Sequence, residues 1–224
     1  MKGLLLSLFM LLFFSAGCAE QEQMRLPELS GTKVAGQQQT TCKALFPQGN
    51  WQFVHAIEFT MKDGSGPPLI GVTTLNGTTL GCALITVEGL TLFEALYPDD
   101  AQFVVRRAIA PFDKPEFAAG LIGDIRAIFQ PPRAALAMTG QAAGATAVCR
   151  YTQAGGGVVD LELNTGDCWR IKQYSADLLL QRSIIGRSCK KTGSAGFPEY
   201  LELKTYGRNG YTLKMTLLHA DTLP

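Results

Sequence analysis

Charged side chains are scarce in this chain: they make up 17% of its 224 residues and balance to a formal net charge of +1. Binding to a nucleic acid duplex calls for a basic stripe. Here the paired cations Arg106-Arg107 and Lys190-Lys191 stand far apart. Histidine occurs twice, at His55 and His219, each alone on a strand pattern and without the neighbours of a catalytic base or metal ligand. No Gly-x-Ser-x-Gly elbow is present, and Ser175 and Ser183 have no context that would activate them. The cysteine spacings match no zinc site. Asp99-Asp100 follows Pro98 as a charged turn without the further ligands of a calcium loop. No repeat of fixed period occurs. Beyond the first residues, no apolar run approaches the roughly 20 positions of a membrane-spanning helix. These absences remove the usual grounds for nucleic acid binding, a resident metal or cofactor, and enzymatic activity.

What is present begins at the N-terminus. Lys2 is followed by an apolar stretch from Leu4 to Phe14 and by the small residues Ser15-Ala16-Gly17 before Cys18. A stretch this short, followed by small residues, is the pattern of a cleaved export signal. Ser-Ala-Gly-Cys resembles the bacterial lipobox, with Ser15 where Leu is usual. The resemblance implies cleavage before Cys18 and its modification by diacylglyceryl and acyl groups such as palmitate. Each buried methylene contributes about 0.8 kcal/mol, so two or three chains anchor almost permanently. Ala19, rather than Asp, implies sorting to the outer membrane by the same resemblance. Residues 1–17 then form the signal and residues 18–40 the anchor and a Gln-rich tether (Gln21, Gln23, Gln37, Gln38, Gln39). Such a composition cannot bury enough surface to order itself. Residues 41–224 form a single domain, with ordered structure expected from about Cys42.

Five cysteines remain: Cys42, Cys82, Cys149, Cys168 and Cys189. An oxidising compartment favours pairing, and the odd number leaves one unpaired. Cys82, inside an apolar strand, is the candidate free thiol; the pairing of the other four stays open.

Most of the domain reads as strand. Trp51, Phe53, Ile57 and Phe59 share one face at period two, with His55 among them. Asp63-Gly64-Ser65-Gly66 turns the chain, and Leu69 to Leu75 leads into Asn76-Gly77, a strong hairpin signal. Leu80, Cys82 and Leu84 alternate; Glu88-Gly89 turns; Leu90 to Leu96 and Phe103 to Ala108 complete an antiparallel meander. One helix follows over Asp113–Phe129. Asp113 and Glu116 form a candidate capping box, Pro115 suits the first turn, and Phe117, Leu121, Ile125 and Ile128 make one stripe. Gln130-Pro131-Pro132 ends it. Residues 133–145 fit a loop or a short helix. Strands resume at 147–151, 158–163, 168–174, 178–184, 200–205 and 211–219, with turns at Gly155-Gly156-Gly157, Asn164-Thr165-Gly166 and Ser175-Ala176, and a loop over Lys190–Gly196. Asp160 and Glu162 alternate with Val159, Leu161 and Leu163 as on a solvated face. Leu213, Met215 and Leu217 share the other face of the last strand.

About ten strands with one inserted helix make a mainly β, α+β chain: a strongly curved antiparallel sheet whose apolar concave face must be covered by its own side chains, a helix or a ligand. A filled sandwich or barrel core fits the same alternation. The order of the lipobox, the meander ending in Val104-Val105-Arg106-Arg107, the Asp113–Ile125 segment and the strands Pro198–Leu203 and Tyr211–Leu217 resembles, over about residues 40–220, bacterial lipoproteins similar to the Lol-type lipoprotein carrier and receptor. That resemblance implies an incomplete β-barrel lidded by a helix and holding acyl chains or a lipidated protein, at the outer membrane and facing the periplasm. The cavity candidates are Trp51, Phe53, Ile57, Phe59, Leu80, Leu84, Phe117, Leu121, Ile125, Leu213, Met215 and Leu217. One of Arg106 and Arg107 is expected to face the concave side, where it would meet a head group, unless its stem merely covers apolar surface. The receptor's protruding apolar loop has no clear counterpart: the Val87–Leu90 turn is short, and Leu90 reads as the first core residue of its strand. A lipoprotein with a filled core, acting through a protein partner, is the competing expectation.

Overall fold

In the computed structural model the described residues are 25–34, 42–98, 102–143, 146–163, 168–192 and 195–224. Cys18 with the export segment, the glutamines of the tether, Asp99-Asp100, the Asn164-Thr165-Gly166 turn and Gly193-Ser194 lie outside them. The elements run β1 (Ser30–Val34), β2 (Trp51–Met61), β3 (Gly64–Ser65), β4 (Leu69–Asn76), β5 (Thr79–Thr86), β6 (Thr91–Tyr97), β7 (Val104–Ala108) and α1 (Pro115–Phe129). They continue as β8 (Ala135–Ala142), β9 (Thr146–Thr152), β10 (Val158–Leu163), β11 (Trp169–Tyr174), β12 (Leu180–Thr192), β13 (Ala195–Thr205) and β14 (Tyr211–Thr222).

All strands belong to one antiparallel sheet in the order β1-β8-β9-β10-β11-β12-β13-β14-β2-β4-β5-β6-β7, with the two-residue β3 beside β2. The sheet curves without closing, since β1 and β7 remain its two edges. Near its middle lies the long β14–β2 pairing, from Tyr211↔Met61 to Thr222↔Trp51, which sets the last described strand against β2. Local rules explain the meander. Gly77 takes φ +57° in the Asn76-Gly77 hairpin, where a β-carbon is disfavoured. Its amide donates to Asn50 Oδ1 at 2.8 Å.

The fold class matches the reading of the sequence, and several elements depart from it. Ordered structure starts before Cys42: β1 pairs with β8, and Arg25 bridges to Leu179. Residues 135–142 are neither loop nor helix but β8. The Lys190–Gly196 loop is shorter than expected, because β12 and β13 extend through Lys191↔Gly196. The capping box does not form: the helix starts after Lys114, and no side chain caps it. Asp160 and Glu162 are buried at 1% and 5% exposure, not solvated. Arg150 explains the first, donating from Nε and Nη2 to the two Asp160 oxygens at 2.7 Å each, and from Nη2 to Pro27 O at 2.8 Å. Lys172 Nζ meets Glu162 at 2.6 Å. Leu90 is half exposed and precedes β6, so it is not a core residue.

Candidate functional site

Period-two alternation sends Trp51, Phe53, His55 and Ile57 of β2 to the concave face. Leu80, Cys82 and Leu84 of β5 and Leu213 and Met215 of β14 join them. Across the curve, Tyr151, Val159, Leu161, Trp169, Ile171 and Ile184 complete the same cluster. Two pieces cover this surface. One is α1, which buries Ala118, Ile122, Ile125, Ile128 and Phe129. The other is the segment before β2, which carries Cys42 and Phe46 into the core. Phe129 stacks on Phe53 at 5.2 Å between ring centroids, and Phe197 meets Phe53 edge-on at 4.9 Å.

Of the twelve cavity candidates, all but Phe117 lie in this cluster, with Phe59, Leu121 and Leu217 only partly buried. Phe117 packs outside it, edge-on to Phe112. The helix therefore keeps Ile125 and Ile128 of the expected stripe but turns slightly, burying Ala118, Ile122 and Phe129 while Leu121 is only partly buried and Phe117 lies outside the cluster. Arg106 and Arg107 do not face the concave side: both are exposed on the edge strand β7, and Arg106 Nη1 lies 3.6 Å from Glu94. His219 is exposed beside Asp221 at 2.6 Å, paired with Val54 across the strands rather than facing His55.

The opening in the apolar interior bounded by Phe53, His55, Phe129, Trp169, Phe197 and Leu201 among others holds about 20 Å³. A water-sized body fits there; ligand pockets are about 300–1,000 Å³. An acyl chain can enter only if a cover moves.

Polar groups also sit in this interior, Asp124, Cys82 and His55 among them, and none of these three was singled out in the sequence as functional. Asp124, on the buried side of α1, receives the Tyr211 hydroxyl from β14 on Oδ2. Its Oδ1 lies 2.6 Å from Arg182 Nη2 of β12, close but not aligned for a hydrogen bond. Burial raises the Asp124 pKa, against the opposing pull of Arg182 and Tyr211. Burial likewise raises Tyr211, and the neighbouring Asp124 carboxylate adds to it. An acidic residue inside an otherwise apolar helical stripe was the available signal for this contact. Cys82 is free and buried, its thiol pushed up to about 12 mainly by burial, which makes it inert rather than nucleophilic. The other four cysteines pair as Cys42–Cys149 and Cys168–Cys189. Among the described residues, no group of three or more His, Cys, Asp and Glu could hold a metal ion.

His55 is 2% exposed, its Nδ1 has no partner, and burial lowers its pKa from 6.5 to about 4. The folded form keeps it neutral while the unfolded chain takes a proton below about pH 6.5, so its contribution to stability is lost as pH falls from 6.5 toward 4. The difference corresponds to about 3 kcal/mol. Acid titration followed by the fluorescence of Trp51 and Trp169 is expected to show this loss, and His55→Leu to reduce it. An unchanged acid limb in that variant would assign the loss to other groups.

No family model matches the chain, and no curated protein does. The fold is similar to that of a LolA superfamily protein from Nitrosomonas europaea: 10% identity, 85% of this chain and 95% of that chain covered, TM-score 0.54. Weaker likenesses, each with a TM-score of 0.46 and 82% of this chain and 89% of the other covered, reach a domain described as an outer membrane lipoprotein-sorting protein from Vibrio parahaemolyticus (10% identity) and a DUF1329 family protein from Desulfovibrio piger (8%). The first of these likenesses shows the fold alone: the chain has a LolA-like fold.

Proposed function

We propose that this chain is a lipid-anchored envelope protein that binds acyl chains, free or on a lipidated protein, between its concave sheet and α1, at the periplasmic face of the outer membrane. The observation that carries the reading is the apolar concave face covered by one helix, with a seat in which Asp124 is the only buried charged residue of α1. The packed interior is then the closed form. Acyl chains replace the packing of Phe129 on Phe53 when the helix lifts. We assign no catalytic residue.

Anchoring at Cys18 is part of this proposal and gains a spatial limit. Arg25 already forms an isolated bridge to Leu179, just before β12. The residues between Cys18 and Arg25 span at most about 25 Å at 3.3–3.6 Å each. The bilayer and the domain therefore stay within one domain diameter of each other, a shorter leash than a tether running to residue 40.

A specific observation favours a second reading: the opening beside Phe53 and Trp169 holds only about 20 Å³. In that reading the core stays filled, and the protein acts through a protein partner at the membrane. Native mass spectrometry of the mature chain, with uptake of a fluorescent fatty acid, separates the two. Lipid near unit stoichiometry, lost in a folded Leu121→Asp/Ile125→Asp variant, supports the carrier. A clean apo mass with no uptake sinks it and leaves the filled-core reading. Uptake unchanged in the folded variant removes α1 as the lid.

A further inference from the structure

A second opening flanks the last turn of α1 and differs in chemistry from the apolar interior. It holds about 300 Å³ between the end of the helix, the Gln130–Arg133 segment, Gln153 and Ala154 of the β9–β10 turn, and strands β10 to β12. Arg126, Arg133 and Arg182 line it, with the amides of Gln153 and Gln173; none of the described residues lining it is acidic. Its apolar floor is Phe46, Val159 and Ile171, which belong to the core.

The cationic side chains are held in place. Arg126 lies over the Tyr97 ring at 4.4 Å and Arg133 over the same ring at 5.2 Å. Arg182 Nη1 donates to Gln173 Oε1 at 2.9 Å, while Nη2 is beside Asp124. Arg126 and Arg182 each keep a buried Nε–H that no acceptor receives, and an unsatisfied buried donor calls for an explanation such as an absent ion or water. The end of α1 opposes an anion with roughly half a negative charge confined to the last turn. The guanidinium charges of Arg126 and Arg182 exceed that half charge together with the Asp124 carboxylate beside Arg182. Planar guanidinium forks match phosphate or carboxylate oxygens in pairs, and glutamine amides add neutral donors suited to hydroxyls.

We propose that this cleft binds an organic phosphate of head-group size, a phosphoryl group with a small polyol attached, with Arg126 and Arg182 on the phosphate and Gln153 and Gln173 on the hydroxyls. The volume exceeds what a bare ion fills and lies at the lower end of ligand pockets. The proposal stands on the cleft's own residues and holds whether or not acyl chains enter the interior. Phosphate on a soluble metabolite and phosphate on a phospholipid share this chemistry.

The test is calorimetric titration of the full mature chain with glycerol 3-phosphate and with inorganic phosphate, alongside flotation with vesicles of phosphatidylglycerol in phosphatidylcholine. Arg126→Gln and Arg133→Gln, each checked for folding by circular dichroism, are the variants. Glycerol 3-phosphate binding that exceeds inorganic phosphate and falls at least tenfold in Arg126→Gln supports the site with a soluble source. Vesicle binding that falls at least tenfold in both variants, without binding of the free compound, supports it with a lipid source. No binding of either, or binding that both folded variants retain, overturns it. Fatty-acid uptake is read separately, so the acyl reading can fail while this one stands.

Discussion

Replacing both Cys42 and Cys149 by alanine is expected to lower the stability of the oxidised chain by about 4–5 kcal/mol, the largest effect of any change discussed. The bond joins positions 107 residues apart. In the chain-entropy account, closing a loop of about 100 residues removes about 4.7 kcal/mol of freedom from the unfolded state, whereas a loop the length of Cys168–Cys189, 21 residues apart, gives about 3 kcal/mol. Alanine avoids adding a hydroxyl where Cys42 and Cys149 are 1% and 3% exposed. Urea denaturation of the variant against the parent reads the difference directly. A shift no larger than that of Cys168→Ala/Cys189→Ala would mean that loop length does not govern the stabilisation.

The same bond also reaches the candidate site. It fastens the segment before β2 to β9, and so places Phe46 in the core and Leu45 and Pro47 beside the residual void. The concave face therefore has one cover held covalently and one, α1, held by packing and a polar contact. If one cover moves during function, chemistry selects α1.

How much of this was readable in the sequence depended on whether a residue's partner was local. The β2 face was legible because Trp51, Phe53 and Ile57 repeat at period two, and the Asn76-Gly77 turn because its dipeptide is self-sufficient. Cys82 was legible as the free thiol from its apolar strand alone. β8 was not, because Leu136 and Met138 are the only bulky apolar residues in Ala135–Ala142, too short a pattern to name a strand, and its pairing with β1 and β9 comes from distant chain. Asp160 reads as solvated because its alternation is polar; only Arg150 and the Pro27 carbonyl, neither adjacent to it, make its burial tolerable. The helix was found but its seat was turned slightly. Phe117 and Ala118 both satisfy a 3.6-residue stripe, and size favoured the phenylalanine, whereas close contact with the sheet favours the alanine. Arg106 and Arg107 drew notice as a pair, while Arg126, Arg133 and Arg182, scattered in sequence, are the arginines that the fold gathers.

The second large effect is expected at Asp124. Asp124→Ala leaves Arg182 facing the core without its carboxylate, and breaking a buried pair in this way costs about 3–5 kcal/mol. Because the Arg182 side chain is 21% exposed, the lower end applies. Replacing both partners, Asp124→Leu with Arg182→Met, is expected to recover most of the loss, since a buried pair is about equal to apolar residues of similar volume. The raised pKa of Asp124 argues the same way: Arg182 and Tyr211 do not fully offset its burial. With a folded pKa above the ordinary 3.8, its contribution is fully present below that value and declines as pH rises through the raised one. The Asp124→Ala loss is therefore expected to be largest at low pH and to shrink toward neutral pH, opposite to the trend set by His55. Hydrogen exchange distinguishes a loose cover from a globally weakened domain. If α1 is the lid, its amides exchange faster in Asp124→Ala while those of β2 and β14 keep their protection relative to global unfolding. Equal acceleration in the helix and the sheet would tie α1 to the cooperative core and count against its opening alone.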